Sequence, residues 1–378
     1  MSNRAKHKLY RAFSLLCILG ALLGVVVCCC TAFPFVFKKD PAERDYSYVW
    51  AFGFFVGFVF LLPVSTLAHE LGHLLFGKLA GLQFASMRVS FFRLQKIGKH
   101  FSLRFVLLRD AAGSFEMYPK SEKGIRGKMI FCSLGGPLFS LIYGGASLAC
   151  FCILPMHPVL YFFALFSPLA LLEAVLSFYP IETDSGKTDG EVVLSLLKKT
   201  PSAMVALRVL GAQGILTKGL YSDLSEEFLF DVPVVREDDI AFLALTQLRF
   251  QYLFYVGREE EALRQLFRLE ELIDYLGEAE RAEAGCDLLY AYSVLCPDLE
   301  RAEAIYFPLA MGARGTTAYL RAVAAYTAAR GEKGSAALRK QAREAAEEEA
   351  LSGVSALELK FLEKIPLGNA EQNEASAN

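Results

Sequence analysis

Four long apolar stretches dominate the first half of this sequence and limit the folds that it can adopt. They run from Ala12 to Phe37, from about Tyr46 to Leu82, from about Met129 to Leu154 and from about Val159 to Ile181. Each is long enough to cross a bilayer as a helix, which takes about 20 residues. Hydrophobic residues make up 54% of the chain, against roughly 45–50% in soluble domains. The sequence therefore predicts an integral, multi-pass membrane protein.

The distribution of lysine and arginine predicts the orientation of these helices, because positively charged loops stay on the cytoplasmic side. Four basic residues precede the first apolar stretch and ten lie in segment 83–128, whereas the loop between the first two stretches has three. We therefore expect a protein of the cell membrane with its N- and C-termini in the cytoplasm. The first stretch lacks a small-x-small cleavage site and is predicted to remain as an uncleaved helix.

These features predict an α-helical polytopic membrane protein with a small cytoplasmic β element and an α-helical soluble C-terminal domain. The expected parts are an N-terminal membrane helix with an external loop (1–45), a membrane core of three helices plus a β segment at 83–118 (46–195), a cytoplasmic helical domain (196–366) and a disordered polar tail (367–378). Alternating runs at Ala85–Phe92 and His100–Leu107 predict two or three short strands within the β segment.

The C-terminal half contains a faint repeat. Three tyrosines each lie five residues before a predicted turn, and three alanines each lie five residues after it: Tyr252, Gly257 and Ala262; Tyr292, Pro297 and Ala302; Tyr326, Gly331 and Ala336. Spacings of 40 and 34 residues are typical of helix–turn–helix repeats. The segment Val256–Ala262 also resembles the turn of a tetratricopeptide repeat. The domain is therefore either tetratricopeptide-like, and able to bind a protein partner, or an ordinary helical bundle.

The charge and cysteine content exclude several classes of protein. The formal net charge is −2, so no basic excess points to nucleic acid as a partner. Seven of the nine cysteines lie in apolar stretches and no Cys-x-x-Cys pair occurs, which argues against a disulfide framework and a cysteine-only zinc site. The other two, Cys286 and Cys296, suit the reducing cytoplasm.

The motif that carries chemistry is His-Glu-Leu-Gly-His at residues 69–73, inside the second apolar stretch. On a helix, His69 and His73 share one face and can bind one metal ion, while Glu70 can take a proton from a water activated there. Two imidazoles and a carboxylate with one open position are typical of catalytic zinc, so we predict one Zn²⁺ per chain. The alternative is a pair of hydrogen-bonded core histidines.

A third metal ligand has to come from another part of the chain. Asp189, in Thr-Asp-Gly just beyond the fourth apolar stretch, is the best candidate, because Gly190 permits a close approach of the backbone. Asp184 is its rival, and Glu182 and Glu191 are weaker candidates. An Asp-Gly pair is also typical of a plain surface turn.

Four elements occur in an order that resembles a known family: His69–His73 in an apolar helix, Gly113–Met117 followed by Pro119, Gly136-Pro137-Leu138, and Pro180 followed by Asp189-Gly190. Residues 46–195 thereby resemble the site-2 proteases, which are intramembrane zinc metalloproteases. The resemblance implies that His69, His73 and Asp189 bind zinc and that Glu70 is the catalytic residue. It also implies that Gly136 opens the next core helix and that Gly113–Met117 is a strand. Such a strand could hold a substrate by strand addition or could be an ordinary hairpin.

Two departures from the family pattern bear on these assignments. Ser140 and Ser177 stand where the family usually has asparagine, and the second asparagine helps to position the peptide in relatives. The gap between Pro180 and Asp189 is longer than usual, which keeps Asp184 as an alternative ligand. Glu173 lies inside the fourth apolar stretch, where a lone carboxylate is costly. It could be protonated, bonded to a metal-binding histidine, or paired with another polar side chain.

The sequence thus predicts an intramembrane zinc-dependent endopeptidase, a metalloendopeptidase of the site-2 protease type. Its expected partners are a membrane protein or peptide substrate, the lipid bilayer and a protein bound by the C-terminal helical domain. Two alternatives remain open at this point. One is a catalytically silent relative that binds membrane proteins, and the other is a helical-repeat adaptor anchored in the membrane.

Overall fold

A computed structural model describes residues 9–24, 47–97, 100–105, 113–121, 123–153, 158–183, 186–312, 316–332, 334–349 and 351–366. The chain is mostly helical and divides into two compact units. The first comprises Met1–Gln95, Ser102–Tyr118 and Lys123–Lys199, and the second comprises Lys96–Phe101, Pro119–Glu122 and Thr200–Asn378.

The described residues of the first unit include five helices, four of which lie on the apolar stretches of the sequence. They are α1 (Leu9–Gly24), α2 (Ser47–Leu79), α3 (Ile125–Ile153), α4 (Pro158–Phe178) and the shorter α5 (Asp189–Leu197). Within the described residues, Ile125–Cys150 of α3 alone combines the length and hydropathy needed to cross a membrane. The helix α1 and the segment Ser167–Phe178 are apolar but shorter. The number of membrane spans therefore remains a prediction, and the first apolar stretch beyond Gly24 lies outside the described residues.

The start of α3 corrects one expectation from the sequence. The helix begins at Ile125, so Pro137 lies inside it rather than at its opening. The glycines beside this proline lie where α2 and α3 cross closely. A Cβ atom on Gly72 would lie 2.5 Å from the carbonyl oxygen of Gly135, and one on Gly135 would lie 2.6 Å from that of Gly72. Small residues allow two helix backbones to touch in this way.

Between α2 and α3 the described residues form a four-stranded sheet, whereas the sequence predicted two or three strands. The strands are β1 (Gln83–Val89), β2 (Phe92–Ile97), β3 (His100–Phe105) and β4 (Gly113–Tyr118), in the spatial order β3-β2-β1-β4. The strand β1 pairs antiparallel with both β2 and β4, with a bulge between Phe84 and Ser86. Of the two alternating runs, Ala85–Phe92 covers most of β1 and the turn before β2, and His100–Leu107 covers β3. The family resemblance marked Gly113–Met117, which is confirmed as part of β4.

The edge strand β4 is fixed against the helices by a small apolar cluster. Met117 is buried together with Leu82 and Cys132, and its sulfur lies where a side chain on Gly77 of α2 would be. A glycine at position 77 therefore lets β4 approach the helix that carries the His-Glu motif. A two-residue ladder, β5 (Glu182–Thr183) and β6 (Gly186–Lys187), connects α4 to α5.

The second unit is helical, as predicted. Its helices are α6 (Pro201–Leu216), α7 (Glu226–Phe230), α8 (Ile240–Tyr255), α9 (Glu259–Glu271), α10 (Glu278–Tyr290), α11 (Leu299–Gly312), α12 (Thr317–Ala329), α13 (Ser335–Glu347) and α14 (Ser352–Glu363). The predicted turns are present: Gly257 follows α8 and Gly331 follows α12, both with positive φ, and Pro297 precedes α11.

The packing of the predicted repeat is only partly regular. Ala262 and Ala302 are fully buried, whereas Ala336 is exposed. The third alanine therefore does not make the helix–helix contact that the spacing predicts, and Ala342 and Ala346 are the buried alanines of α13 instead. A tetratricopeptide-like arrangement of the domain remains a prediction.

A buried ionic cluster joins three helices of the second unit. Arg321 of α12 is 1% exposed and its guanidinium lies between the rings of Tyr290 and Phe361. It donates to Asp287 at 2.6 Å and lies 3.4 Å from a carboxylate oxygen of Glu358. Two buried carboxyl groups thus share one cation. Burial raises the pKa of Glu358 to about 7 and also raises that of Asp287.

This cluster predicts that the second unit loses stability as the pH rises from about 5 through neutrality. The folded chain keeps a proton on Glu358 until about pH 7, whereas an unfolded chain releases it near 4.5, so folding binds a proton between these values. We expect the free energy of unfolding to fall by about 2 kcal/mol from pH 5 to pH 8. Urea titrations that follow the exposure of the buried Cys286 thiol measure this. Glu358→Gln should make the dependence less steep, while Glu283, whose pKa burial also raises to about 7, keeps part of it. An unchanged slope in that variant would contradict the assignment.

Candidate metal centre

Helix α2 brings the three side chains of the motif to one buried turn. The i, i+4 spacing places His69 and His73 on the same face, and Glu70 lies beside them. All three are buried, with exposures of 6%, 6% and 5%. Such burial of three ionisable groups on an apolar helix is costly without a ligand or partner, which marks this turn as a candidate site.

Asp189 is the first residue of α5, and local contacts fix its position. Thr188 caps the helix by accepting a hydrogen bond from the backbone N–H of Glu191, and its hydroxyl also donates to the carbonyl of Tyr179 at 2.7 Å. Gly190 packs directly on the carbonyl of Phe178, where any side chain would collide. The turn after α4 therefore folds back, as the sequence predicted, and carries Asp189 to the two histidines.

The three candidate ligand atoms form a nearly equilateral triangle. The two histidine Nε2 atoms are 3.2 Å apart, and Oδ2 of Asp189 lies 3.2 Å from that of His69 and 3.4 Å from that of His73. Zinc bonds of 2.0–2.1 Å in a tetrahedron separate their ligand atoms by about 3.3 Å. The side chains therefore fit a zinc ion with one position left for water or substrate. Among the described residues no other group of histidine, cysteine, aspartate or glutamate meets these distance criteria.

Hydrogen bonds on the far side of each imidazole orient the nitrogen pair. Nδ1 of His73 lies 2.8 Å from the carbonyl oxygen of Cys132 and 3.3 Å from the backbone nitrogen of Gly136, so two backbone groups hold this ring in place. Nδ1 of His69 lies 3.0 Å from the hydroxyl of Ser140. Ser140 stands where the family usually has asparagine, and here it contacts a histidine that could bind a metal ion.

A glycine on α3 leaves the space that an ion needs. A Cβ atom on Gly136 would lie 2.7 Å from Nε2 of His69 and still closer to Nε2 of His73. Because Gly136 of the Gly-Pro-Leu element has no side chain, α3 can pass close to both nitrogen atoms without covering them.

The carboxylate of Asp189 is held in its charged form. Burial opposes that charge, but hydrogen bonds with His69 and His73 outweigh it and lower the pKa of Asp189 below its ordinary value. Ser177, at the end of α4, donates a short hydrogen bond to the same oxygen. Ser177 thus positions Asp189, a role that the sequence did not reveal.

Glu70 lies beside the cluster of His69, His73 and Asp189 and is not one of its three members. Its carboxylate lies against Gly113 at the start of β4, where a Cβ atom would collide with it. Its Oε2 atom is buried and has no hydrogen-bond partner within the part of the chain that the structure describes. A buried and unpaired carboxylate oxygen beside two imidazoles is ready to accept a proton from a molecule that enters the site.

The motif opens into a cavity of about 730 Å³ within the first unit. Its walls include Ser114 and Phe115 of β4, Ser65 of α2 and Tyr10 of α1. Ser114 and Phe115 belong to the predicted strand Gly113–Met117, whereas Ser65 and Tyr10 were not predicted from the sequence. Of these two, only Ser65 carried a signal, since it precedes His69 by four residues and so shares its helix face.

The remaining candidates take other positions. Glu173 accepts a hydrogen bond of 2.8 Å from Ser65, which agrees with the prediction of pairing with a polar side chain rather than with a histidine. Glu182 on β5 and Glu191 on α5 do not belong to the metal-ligand cluster formed by the described residues. Asp184, the rival ligand, lies outside the described residues.

One of three comparisons with known proteins found a match. The family model of peptidase family M50 matches residues 57–376, which include every residue of the metal cluster and most of the second unit. No curated protein and no solved structure matches the chain significantly.

Proposed function

The chain belongs to peptidase family M50, and on this premise we propose that it is an intramembrane zinc-dependent endopeptidase. Its substrates would be membrane-spanning or membrane-associated proteins and peptides. The observation that carries the proposal is the triangle of His69, His73 and Asp189 beside the unpaired carboxylate of Glu70. A protein that only binds partners has no need for a free proton acceptor at this point.

Each residue of the site has a chemical task in peptide hydrolysis. His69, His73 and Asp189 would hold the zinc ion, which when bound lowers the pKa of a water and polarises the scissile carbonyl. Glu70 accepts the proton of the attacking water and passes it to the leaving amine. Ser140 and Ser177 keep His69 and Asp189 in orientation through their hydrogen bonds.

The edge strand β4 is suited to hold the substrate. It pairs with β1 on one side only in the described sheet order, and Ser114 and Phe115 reach the cavity wall. Phe115 also stacks on the ring of His73 with centroids 5.9 Å apart. An extended peptide added to the free edge of β4 would present its amide bonds to Glu70, since Gly113 leaves no side chain between them.

The membrane arrangement that we propose follows the charge distribution of the sequence. Helices α1 to α4 span the cell membrane, and both termini and the sheet are cytoplasmic. The helical domain from residue 196 onward would then be cytoplasmic, where it is available to a protein partner.

Removal of the metal tests the proposed function directly. Purified full-length protein in detergent micelles should cut a proteome-derived peptide library, and mass spectrometry identifies the new termini. We expect a zinc chelator to lower cleavage at least about 100-fold and one equivalent of added zinc to restore it. Asp189→Ala is the matched variant, because it should show the same loss and should not be rescued by one equivalent. Cleavage that survives complete metal removal would contradict the proposal.

A further inference from the structure

The catalytic cavity has a second polar level, one helical turn away from the metal cluster. Ser65 precedes His69 by four residues on α2, and Glu173 precedes Ser177 by four residues on α4, so each pair shares one helix face. At the first level, His69 and Ser177 both bind Asp189. At the second level, the hydroxyl of Ser65 donates to Glu173 at 2.8 Å. The two levels are separated by one turn, or about 5.4 Å.

The carboxylate at the second level has no counter-charge in the described part of the chain. Its only hydrogen bond comes from the neutral hydroxyl of Ser65, and no lysine, arginine or histidine forms an ion pair with it among the described residues. Lys187 also lines the cavity, but it is exposed and makes no ion pair with Glu173. Three leucines of the same helix, Leu169, Leu172 and Leu176, also line the cavity.

The two levels differ in how their charge is balanced. The charges of Asp189 and Glu70 face the imidazoles and the ion that they would hold, whereas Glu173 faces open cavity. A carboxylate in such surroundings is costly unless a cation approaches it. A substrate with a positively charged side chain at this place binds more tightly, and a substrate with a negatively charged one is repelled. The carboxylate of Glu173 therefore affects substrate specificity.

We propose that Glu173 and Ser65 form a subsite that binds a lysine or arginine side chain of the substrate beside the scissile bond. This inference rests on the proposed function and names the class of substrate. Residues of an extended peptide are about 3.3 Å apart, so a separation of about 5.4 Å corresponds to one or two residues. The basic side chain therefore lies within two residues of the cleaved bond and always on the same side of it. Its long aliphatic stem would lie along the leucines of α4, which suits an amphipathic side chain.

The test is a cleavage-site profile with the zinc-loaded full-length protein and a proteome-derived peptide library. We expect lysine and arginine to be enriched at one position within two residues of the cut. From one efficient site, two synthetic peptides are made that differ only by lysine or glutamine at that position. The wild type should cleave the lysine peptide with a kcat/KM about tenfold higher. In Glu173→Gln this ratio should fall to about one, and in Ser65→Ala it should fall part of the way.

Glu182→Gln is the matched control, because Glu182 is an exposed glutamate that does not line the cavity, and it should keep the wild-type ratio. Zinc content of one equivalent in each variant shows that the first level is intact, and Ser65→Ala provides the test if Glu173→Gln does not fold. Cleavage without a basic preference, or a ratio unchanged in both variants, overturns this inference and leaves the proposed function in place. Absence of any zinc-dependent cleavage overturns the proposed function itself.

Discussion

Replacement of Glu70 by glutamine is expected to lower kcat for peptide cleavage by about 10³-fold while the protein still binds one zinc ion. The amide is almost isosteric with the carboxylate, so the contact with Gly113 and the burial of the side chain are kept. What is lost is the basic oxygen, which has no other partner in the described residues. Rates on a peptide that the wild type cuts, together with metal analysis of the same samples, measure both quantities.

The Glu70→Gln variant also distinguishes an active protease from the catalytically silent relative, which was the alternative that the sequence left open. A protein that acts by binding alone would support its role in cells equally well when the carboxylate is replaced by an amide. A comparison of membrane peptides in cells that carry the wild type or Glu70→Gln should show single-span fragments that accumulate only in the variant. Equal peptide profiles together with full function in cells would exclude hydrolysis as the role of the site.

Most of the candidate metal cluster could be predicted, because two of its three members belong to one short sequence motif. His69, Glu70 and His73 lie within two turns of one helix, and helix geometry alone brings them together. Asp189 was harder to predict, since its distance from the histidines depends on the turn after α4. The contact of Gly190 with the Phe178 carbonyl sets that turn, and the sequence offered Gly190 only as a position that permits close approach.

The supporting groups could not be predicted, because they act across helices. Ser140 lies on α3, Ser177 on α4 and Ser65 on α2, and the helix position of each serine does not tell which side chain of another helix it contacts. Their roles arise from helix crossings such as that of Gly72 and Gly135. The start of α3 was also not predictable from the Gly-Pro-Leu motif. The motif indicates a close contact at its glycine, but it does not show at which residue the helix begins.

In the second unit, periodicity predicted helices and turns but not the partners of charged residues. Arg321 lies in an alanine-rich stretch whose sequence gives no indication that this cation is fully buried. Its carboxylate partners, Asp287 and Glu358, are 34 and 37 positions away in the chain. Charges on helices usually face solvent, and only the packing of α10, α12 and α14 reveals that these three do not.

The substitution Gly136→Ala is expected to abolish zinc binding while the fold is retained. One added methyl group would lie within 2.7 Å of Nε2 of His69 and would also overlap Nε2 of His73, so it occupies the space in which the two nitrogen atoms meet the ion. Loss of outer contacts to a metal ligand costs about 10–100-fold in affinity, and direct obstruction of two ligands should cost at least about 100-fold. Competition with a zinc chelator of known affinity measures the change.

Gly145→Ala is the control on the same helix, because a Cβ atom there meets no other atom within 4 Å. In a helix interior that exchange should stabilise the protein by roughly 0.5–1 kcal/mol, and zinc affinity should remain at the wild-type value. Comparison of Gly136→Ala with Gly145→Ala therefore distinguishes the loss of space beside the histidines from the general effect of an alanine on α3. If Gly136→Ala bound zinc as tightly as Gly145→Ala, the ion would have to lie elsewhere, and both the metal centre and the hydrolytic mechanism derived from it would be wrong.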